Sequence, residues 1–147
     1  MRELPRKLSV EALAELFEGR TRLVERLAEL EDPLERADAV IAALDDEAKV
    51  EALAAHPAIG QRSGLSARSA EEQGSDSEPV VLSDLAYLNQ VYEEKFGFRF
   101  VVFVNGRPKA ETLEVLRKRI ANTREDELDT GCRELVAIAR ERWWTRT

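Results

Sequence analysis

The stretch FGFRFVVFVNG, residues 96–106, decides how the rest of the chain is read. It is aromatic and β-branched, with no apolar stripe at helical spacing, and so predicts an extended segment. Asn105-Gly106 closes it as a turn, because both residue types tolerate positive φ. No second segment of this kind is evident. A buried extended backbone must still place its N–H and C=O groups. Either the stretch lies under helices, or its backbone groups meet a ligand. Its side chains, taken by themselves, read first as core.

Outward from it, the pattern is helical. On the C-terminal side a helix begins at Pro108 and carries Leu113, Leu116 and Ile120, and a last one covers roughly Arg124 to Trp143. On the N-terminal side, about Ser83 to Phe96 predicts a helix burying Leu85, Leu88, Tyr92 and Phe96. Further upstream, Ser9 reads as an N-cap ahead of Leu13, Leu16 and Phe17, and Leu23, Leu27 and Leu30 continue at helical spacing. Asp32 and Pro33 read as N-cap and first helical residue before Leu34, Ala37, Ile41 and Leu44. DEAKVEALAA should stop near Ala55, because the residue before Pro57 is disfavoured in helical geometry. The expected fold is all-α: a single-domain helical bundle over residues 1–147, with one short extended segment near residues 98–104.

Composition narrows the function classes. The chain has 147 residues, 44% of them hydrophobic, enough to bury a core of its own. Its formal charge of −7 argues against nucleic-acid binding, which needs a basic face. One cysteine, Cys132, excludes an internal disulfide, and a single histidine leaves no Cys/His zinc set. Neither a signal peptide, a membrane span nor a C-terminal address is legible, so the expectation is a soluble cytoplasmic protein. Trp143 and Trp144 read as a seal of the last helix on the core, or as a dimer contact.

Residues 56–82 hold Pro57, Gly60, Gly64, Gly74 and Pro79 among several serines, a connection too long to be idle. The sole histidine, His56, opens it. An imidazole before a proline at a helix end is a fixed acid–base candidate, or else a partner for the helix dipole. Facing a loop, it would contribute about 1 kcal/mol or less to stability. Glu72 is a possible second acid–base group, and a carboxylate beside His56 would raise its pKa. Ser69 and Gln73 can hydrogen-bond a polar ligand. Ser69 to Glu72 also matches a capping box, in which Glu72 would turn back to its own helix.

AAHPAIG (54–60), SARSAEEQG (66–74) and LNQVYEEKFGFRFVVFVNGRPKAETLEVLRKRI (88–120) together resemble the 2-oxo-4-hydroxy-4-carboxy-5-ureidoimidazoline (OHCU) decarboxylases of urate degradation. A His-Pro-x-x-Gly box, a Ser-x-x-Glu-Gln box and a Phe-Gly-Phe-x-Phe box stand in that family's order and at similar spacing. The resemblance runs from about residue 46 to the C-terminus. The first 45 residues match poorly and lack the Phe-Asn common near the family's start.

The resemblance implies an all-helical, cofactor-free carboxy-lyase, commonly a homodimer, acting on a small-molecule substrate. It implies that His56 donates the proton with Glu72 as its acidic partner. Pro57, Ser69 and Gln73 would line the substrate, with Phe100, Val101, Val102, Phe103 and Val104 as an apolar wall bearing backbone amides. Where some members place an arginine directly after the extended stretch, this chain has Asn105. Arg107 and Arg68 are then the candidates for an anionic group. A catalytically silent binding module, or a lyase on a related ureido acid, are the alternative readings.

Overall fold

The structure, a computed structural model, describes residues 3–57 and 79–145. Among them run helices α1 (Val10–Phe17), α2 (Arg22–Ala28), α3 (Pro33–Ala43), α4 (Asp46–Ala54), α5 (Pro79–Phe96), α6 (Lys109–Ile120) and α7 (Arg124–Thr145). No strand occurs among the described residues, and residues 99–104 carry no helix. The all-α reading therefore holds, with residues 99–104 part of the non-helical stretch between α5 and α6.

Local chemistry sets most of the helix starts. Ser9 Oγ accepts from the Ala12 N–H at 3.1 Å, Thr21 Oγ1 from Val24 at 3.3 Å and Asp45 Oδ1 from Ala48 at 2.8 Å. Each satisfies one of the N–H groups a helix start leaves over, worth about 1 kcal/mol. Asp32 departs from expectation. It precedes α3, but its backbone is left-handed (φ 54°) and its side chain makes no capping bond. Its N–H instead donates to the Arg6 carbonyl at 2.8 Å, while Pro33 supplies the preset first turn. The helix expected from Ser83 runs from Pro79, since a proline is tolerated in a first turn.

α7 is the axis of the core. It packs against α1, α3 and α4, and α5 pairs with α6. Leu135 and Val136 of α7 meet Leu13, Leu16, Leu27 and Leu53 in a fully buried cluster. Each such side chain contributes about 1.5–3 kcal/mol by leaving water. The close approach of α4 to α7 depends on Gly131. A Cβ there would lie 3.0 Å from Leu53 Cδ2, tighter than packing ordinarily allows. At the C-terminus it is Arg142 that is buried (1% exposed); Trp143 is half-buried and donates from Nε1 to the Glu3 carbonyl at 2.8 Å.

Between α5 and α6 the chain runs extended and then reverses. Asn105 and Gly106 both take positive φ (52° and 74°), and the Arg107 N–H donates to the Val104 carbonyl at 3.1 Å. That is the tight turn the Asn-Gly pair predicts.

Candidate active site

The site is built where the end of α4 meets the extended segment, with the ends of α1 and α7 tied together beside His56 through Glu18 and Arg142. α4 closes at Ala55, and the His56 N–H reaches back to the Leu53 carbonyl at 3.2 Å. Pro57 follows, half-buried. His56 is not a loop-facing surface residue: it is 5% exposed. Its Nε2 is buried and has no hydrogen-bond partner. Buried polar atoms are rarely left this way, and one on a titratable ring makes His56 a candidate site residue.

Charge around His56 comes from other elements. Arg142 on α7 pairs with Glu18, the residue that ends α1, at 3.0 Å. Arg142 Nη1 also donates to the Leu16 carbonyl at 3.1 Å. Glu18 holds a left-handed backbone (φ 66°) to make that junction. Burial, and then the Arg142 cation, push the His56 pKa down to about 4; Glu18 pulls it up and Arg99 pulls it down further. Desolvation of the imidazolium outweighs the nearby Glu18 carboxylate; the raised pKa expected from Glu72 concerns a residue outside the described ones. His56 is neutral at pH 7.

A stability prediction follows from that direction. An unfolded histidine titrates near 6.5, the folded one near 4. The unfolded chain therefore binds the extra proton between those values, and stability is complete above pH 6.5 and lost as pH falls toward 4. The loss is about 3 kcal/mol at 1.4 kcal/mol per pH unit. Melting curves of wild type and His56→Asn should draw together as pH falls from about 7.5 and cross near pH ~4.5. Parallel curves would show that the imidazole is hydrated.

The extended stretch is satisfied by side chains rather than by a partner strand. Arg119 Nη1 donates to the Val101 carbonyl at 2.7 Å, and the Phe103 N–H donates to Glu134 Oε1 at 3.1 Å. Arg107 folds back, donating to the Val104 carbonyl from Nε at 2.9 Å and to the Phe103 carbonyl from Nη2 at 2.6 Å. The Val102 and Val104 N–H groups meet no acceptor among the described residues. Val101, Val102 and Val104 are buried and Phe103 is half-buried. The Phe100 ring lies in the core, 5.2 Å between centroids from Tyr92 and under the Arg119 guanidinium at 4.6 Å. Phe100 thus commits its ring to the core.

One residue ties this stretch to His56. Arg99 Nη1 donates to the Ala54 carbonyl at 3.3 Å and also to the His56 carbonyl. In an extended segment alternate residues share a side. Arg99, Val101 and Phe103 therefore lie opposite Phe98 and Phe100, which join the aromatic cluster with Tyr92 and Phe96.

Ser69, Glu72, Gln73 and Arg68 lie outside the described residues, as does the capping box. His56, Pro57 and residues 100–104 are placed, and Arg99 brings the two groups together. Sequence reasoning missed Glu18, Arg99, Arg119, Glu127 and Arg142. Arg99 had a readable signal, as the one charge in FGFRFVVFV. Arg142, between Glu141 and Trp143, reads as part of a solvated face. Cys132 is no rival nucleophile: burial pushes its thiol up to about 12. Among the described residues no cluster of three or more His, Cys, Asp or Glu is placed to hold a metal ion, and no helix is long and apolar enough to cross a membrane.

A sequence model of the OHCU decarboxylase family matches residues 2–143 of the chain. The match includes the first 45 residues, whose motifs alone do not show it. The chain is 30% identical over 142 residues to the 2-oxo-4-hydroxy-4-carboxy-5-ureidoimidazoline decarboxylase of Haloferax volcanii, covering 88% of this chain and 83% of that protein. It is 28% identical over 142 residues to the uric acid degradation bifunctional protein PucL of Bacillus subtilis, covering 90% of this chain. It spans only 29% of that longer relative. In structure it is similar to a crystallised OHCU decarboxylase solved with (S)-allantoin. The TM-score is 0.73, over 89% of this chain and 94% of that one, and at 23% identity the likeness is one of fold.

Proposed function

We propose that this chain, which belongs to the OHCU decarboxylase family, removes carbon dioxide from 2-oxo-4-hydroxy-4-carboxy-5-ureidoimidazoline to give (S)-allantoin in urate degradation. The observation that carries the reading at the level of the site is the buried, unpartnered Nε2 of His56 beside the extended stretch. The scissile carboxylate sits on a carbon that also bears a hydroxyl and adjoins an imine-like carbon. When that C–C bond breaks, its electron pair passes into the conjugated ring and carbon dioxide leaves. The ring itself is the electron sink, so the chemistry asks for no metal or organic cofactor. What remains for the protein is orientation, stabilisation of the developing negative charge, and delivery of a proton to one face.

His56 is the proton donor in this reading and Glu72 its acidic partner. A neutral imidazole is a poor acid, so the donor form must be made on binding. An anionic substrate placed against Nε2 supplies the negative field that protonates it, and proton uptake then accompanies binding. The N–H groups of Val102 and Val104, which meet no acceptor among the described residues, are suited to the developing negative charge. Pro57, Ser69 and Gln73 complete the lining. A homodimer in the cytoplasm belongs to the same reading, and sedimentation equilibrium of the purified chain tests the dimer.

The activity itself is tested by generating the substrate in situ from urate with the two upstream enzymes and following allantoin by circular dichroism. Addition of this protein should produce a fast, single-handed signal. A rate and handedness equal to the protein-free reaction would leave a silent binding module as the better account.

A further inference from the structure

The α4 C-terminus is an unusual place to fix a reacting side chain. The helix has ended at Ala54, so the backbone of His56 is not held by the regular ladder. Pro57 offers no N–H to continue it. The last carbonyls of a helix have no partner of their own and carry the negative end of its dipole. Here two of them, from Ala54 and His56, accept from a single guanidinium nitrogen, Nη1 of Arg99. Arg99 comes from the extended stretch, 43 residues further along the chain from His56. Its Nε is buried without a hydrogen bond and stands 3.7 Å from Glu93 Oε1 on α5, an ion-pair distance. The guanidinium is thus engaged by both the end of α4 and α5.

We infer that Arg99 is a positioning residue: it clamps the end of α4 to the extended stretch, and so fixes the His56 ring relative to the backbone amides of Val102 and Val104. Among the described residues no other hydrogen bond or ion pair joins the end of α4 to the extended stretch. The inference rests on the functional reading above for its consequence in rate, but its structural content stands apart from it. The groups whose charge faces His56 are Arg142 and Glu18 from α7 and α1, and Arg99 from the extended stretch. Loss of the Arg99 charge alone is a small change among these, being the weakest of the influences on the ring. Loosening of the helix end would be a large one, because it would let water reach the imidazole.

The chain has one histidine, so one imidazole Cε1–H resonance reports on His56. Arg99→Met, Arg99→Lys and wild type are compared by the titration of that resonance, by thermal melting, and by kcat and KM in the coupled allantoin assay. In Arg99→Met the midpoint should rise by about two pH units toward the ordinary histidine value as the ring is hydrated. Its kcat should fall at least tenfold with KM less affected, since misplacement of a reacting group costs rate rather than affinity. Arg99→Lys keeps a cation that can reach a carbonyl and should recover part of both effects. A midpoint that moves by less than about half a unit in a folded Arg99→Met protein overturns the clamp. So does an Arg99→Lys protein that behaves as Arg99→Met at an equal melting temperature. If wild type itself proves inactive, the functional reading fails while the titration still decides the clamp.

Discussion

His56→Asn should remove most of the enzyme-dependent, single-handed allantoin signal, lowering kcat by a hundredfold or more. Loss of a general acid typically costs that much, and the chain holds no second imidazole to substitute. The stability effect is less simple than for a surface histidine. The side chain is 5% exposed, so its removal forfeits packing, about 1–2 kcal/mol at pH 7.5. Part of that is returned, because the buried Nε2 without a partner is deleted with the ring. Near pH 4.5 the balance reverses, since the variant has no imidazole to protonate on unfolding. The variant should therefore be folded and nearly inactive, and its melting temperature should depend less on pH than that of wild type. Glu72→Gln should lose activity similarly and Glu71→Gln should not. A folded His56→Asn protein with full activity would make the imidazole structural and sink the proposed mechanism.

The sequence reached some parts of this protein and missed others for identifiable reasons. Helices whose caps and stripes are local were legible: Ser9 before Leu13, Leu16 and Phe17 needs no knowledge of the rest of the chain. Asp32 looked equally good as a cap. It fails because its left-handed backbone is set by a bond to Arg6, which no local pattern encodes. The Asn-Gly turn was legible because positive φ is a property of those residues themselves. His56 was found as a residue type at a helix end, but its burial and lowered pKa were not. Both depend on α1 and α7 arriving at the same point, through Glu18 and Arg142. Charged residues on helices ordinarily read as solvated faces. Arg119, Glu127 and Arg142 are the exceptions, and burial of a charge is visible only once its partner is placed.

Arg119→Met should have the largest effect on stability of any single change outside the apolar core. Glu127 on α7 is fully buried (0% exposed). Its Oε1 accepts from Arg119 Nε at 2.8 Å and from the Tyr92 hydroxyl at 2.6 Å, and its Oε2 accepts from Asn122 Nδ2 at 2.8 Å. Burial, together with the Glu127 carboxylate, raises the Tyr92 pKa, so the hydroxyl stays the donor. Removing the guanidinium leaves the carboxylate buried with neutral donors only, a loss of about 3–5 kcal/mol. It also frees the Val101 carbonyl and strips the cation from the face of Phe100, which together hold the extended stretch against α6. Urea denaturation should report the loss as a lower midpoint with an unchanged slope. The companion variant Arg119→Met/Glu127→Leu removes both charges and should recover much of the stability, because paired apolar groups replace a buried ion pair at little cost. It should not recover activity, since the Val101 carbonyl remains without its donor and the stretch beside His56 is no longer held. A single variant within about 1 kcal/mol of wild type would mean that water reaches Glu127. A double variant with full activity would mean that the grip of Arg119 on Val101 has no part in shaping the site.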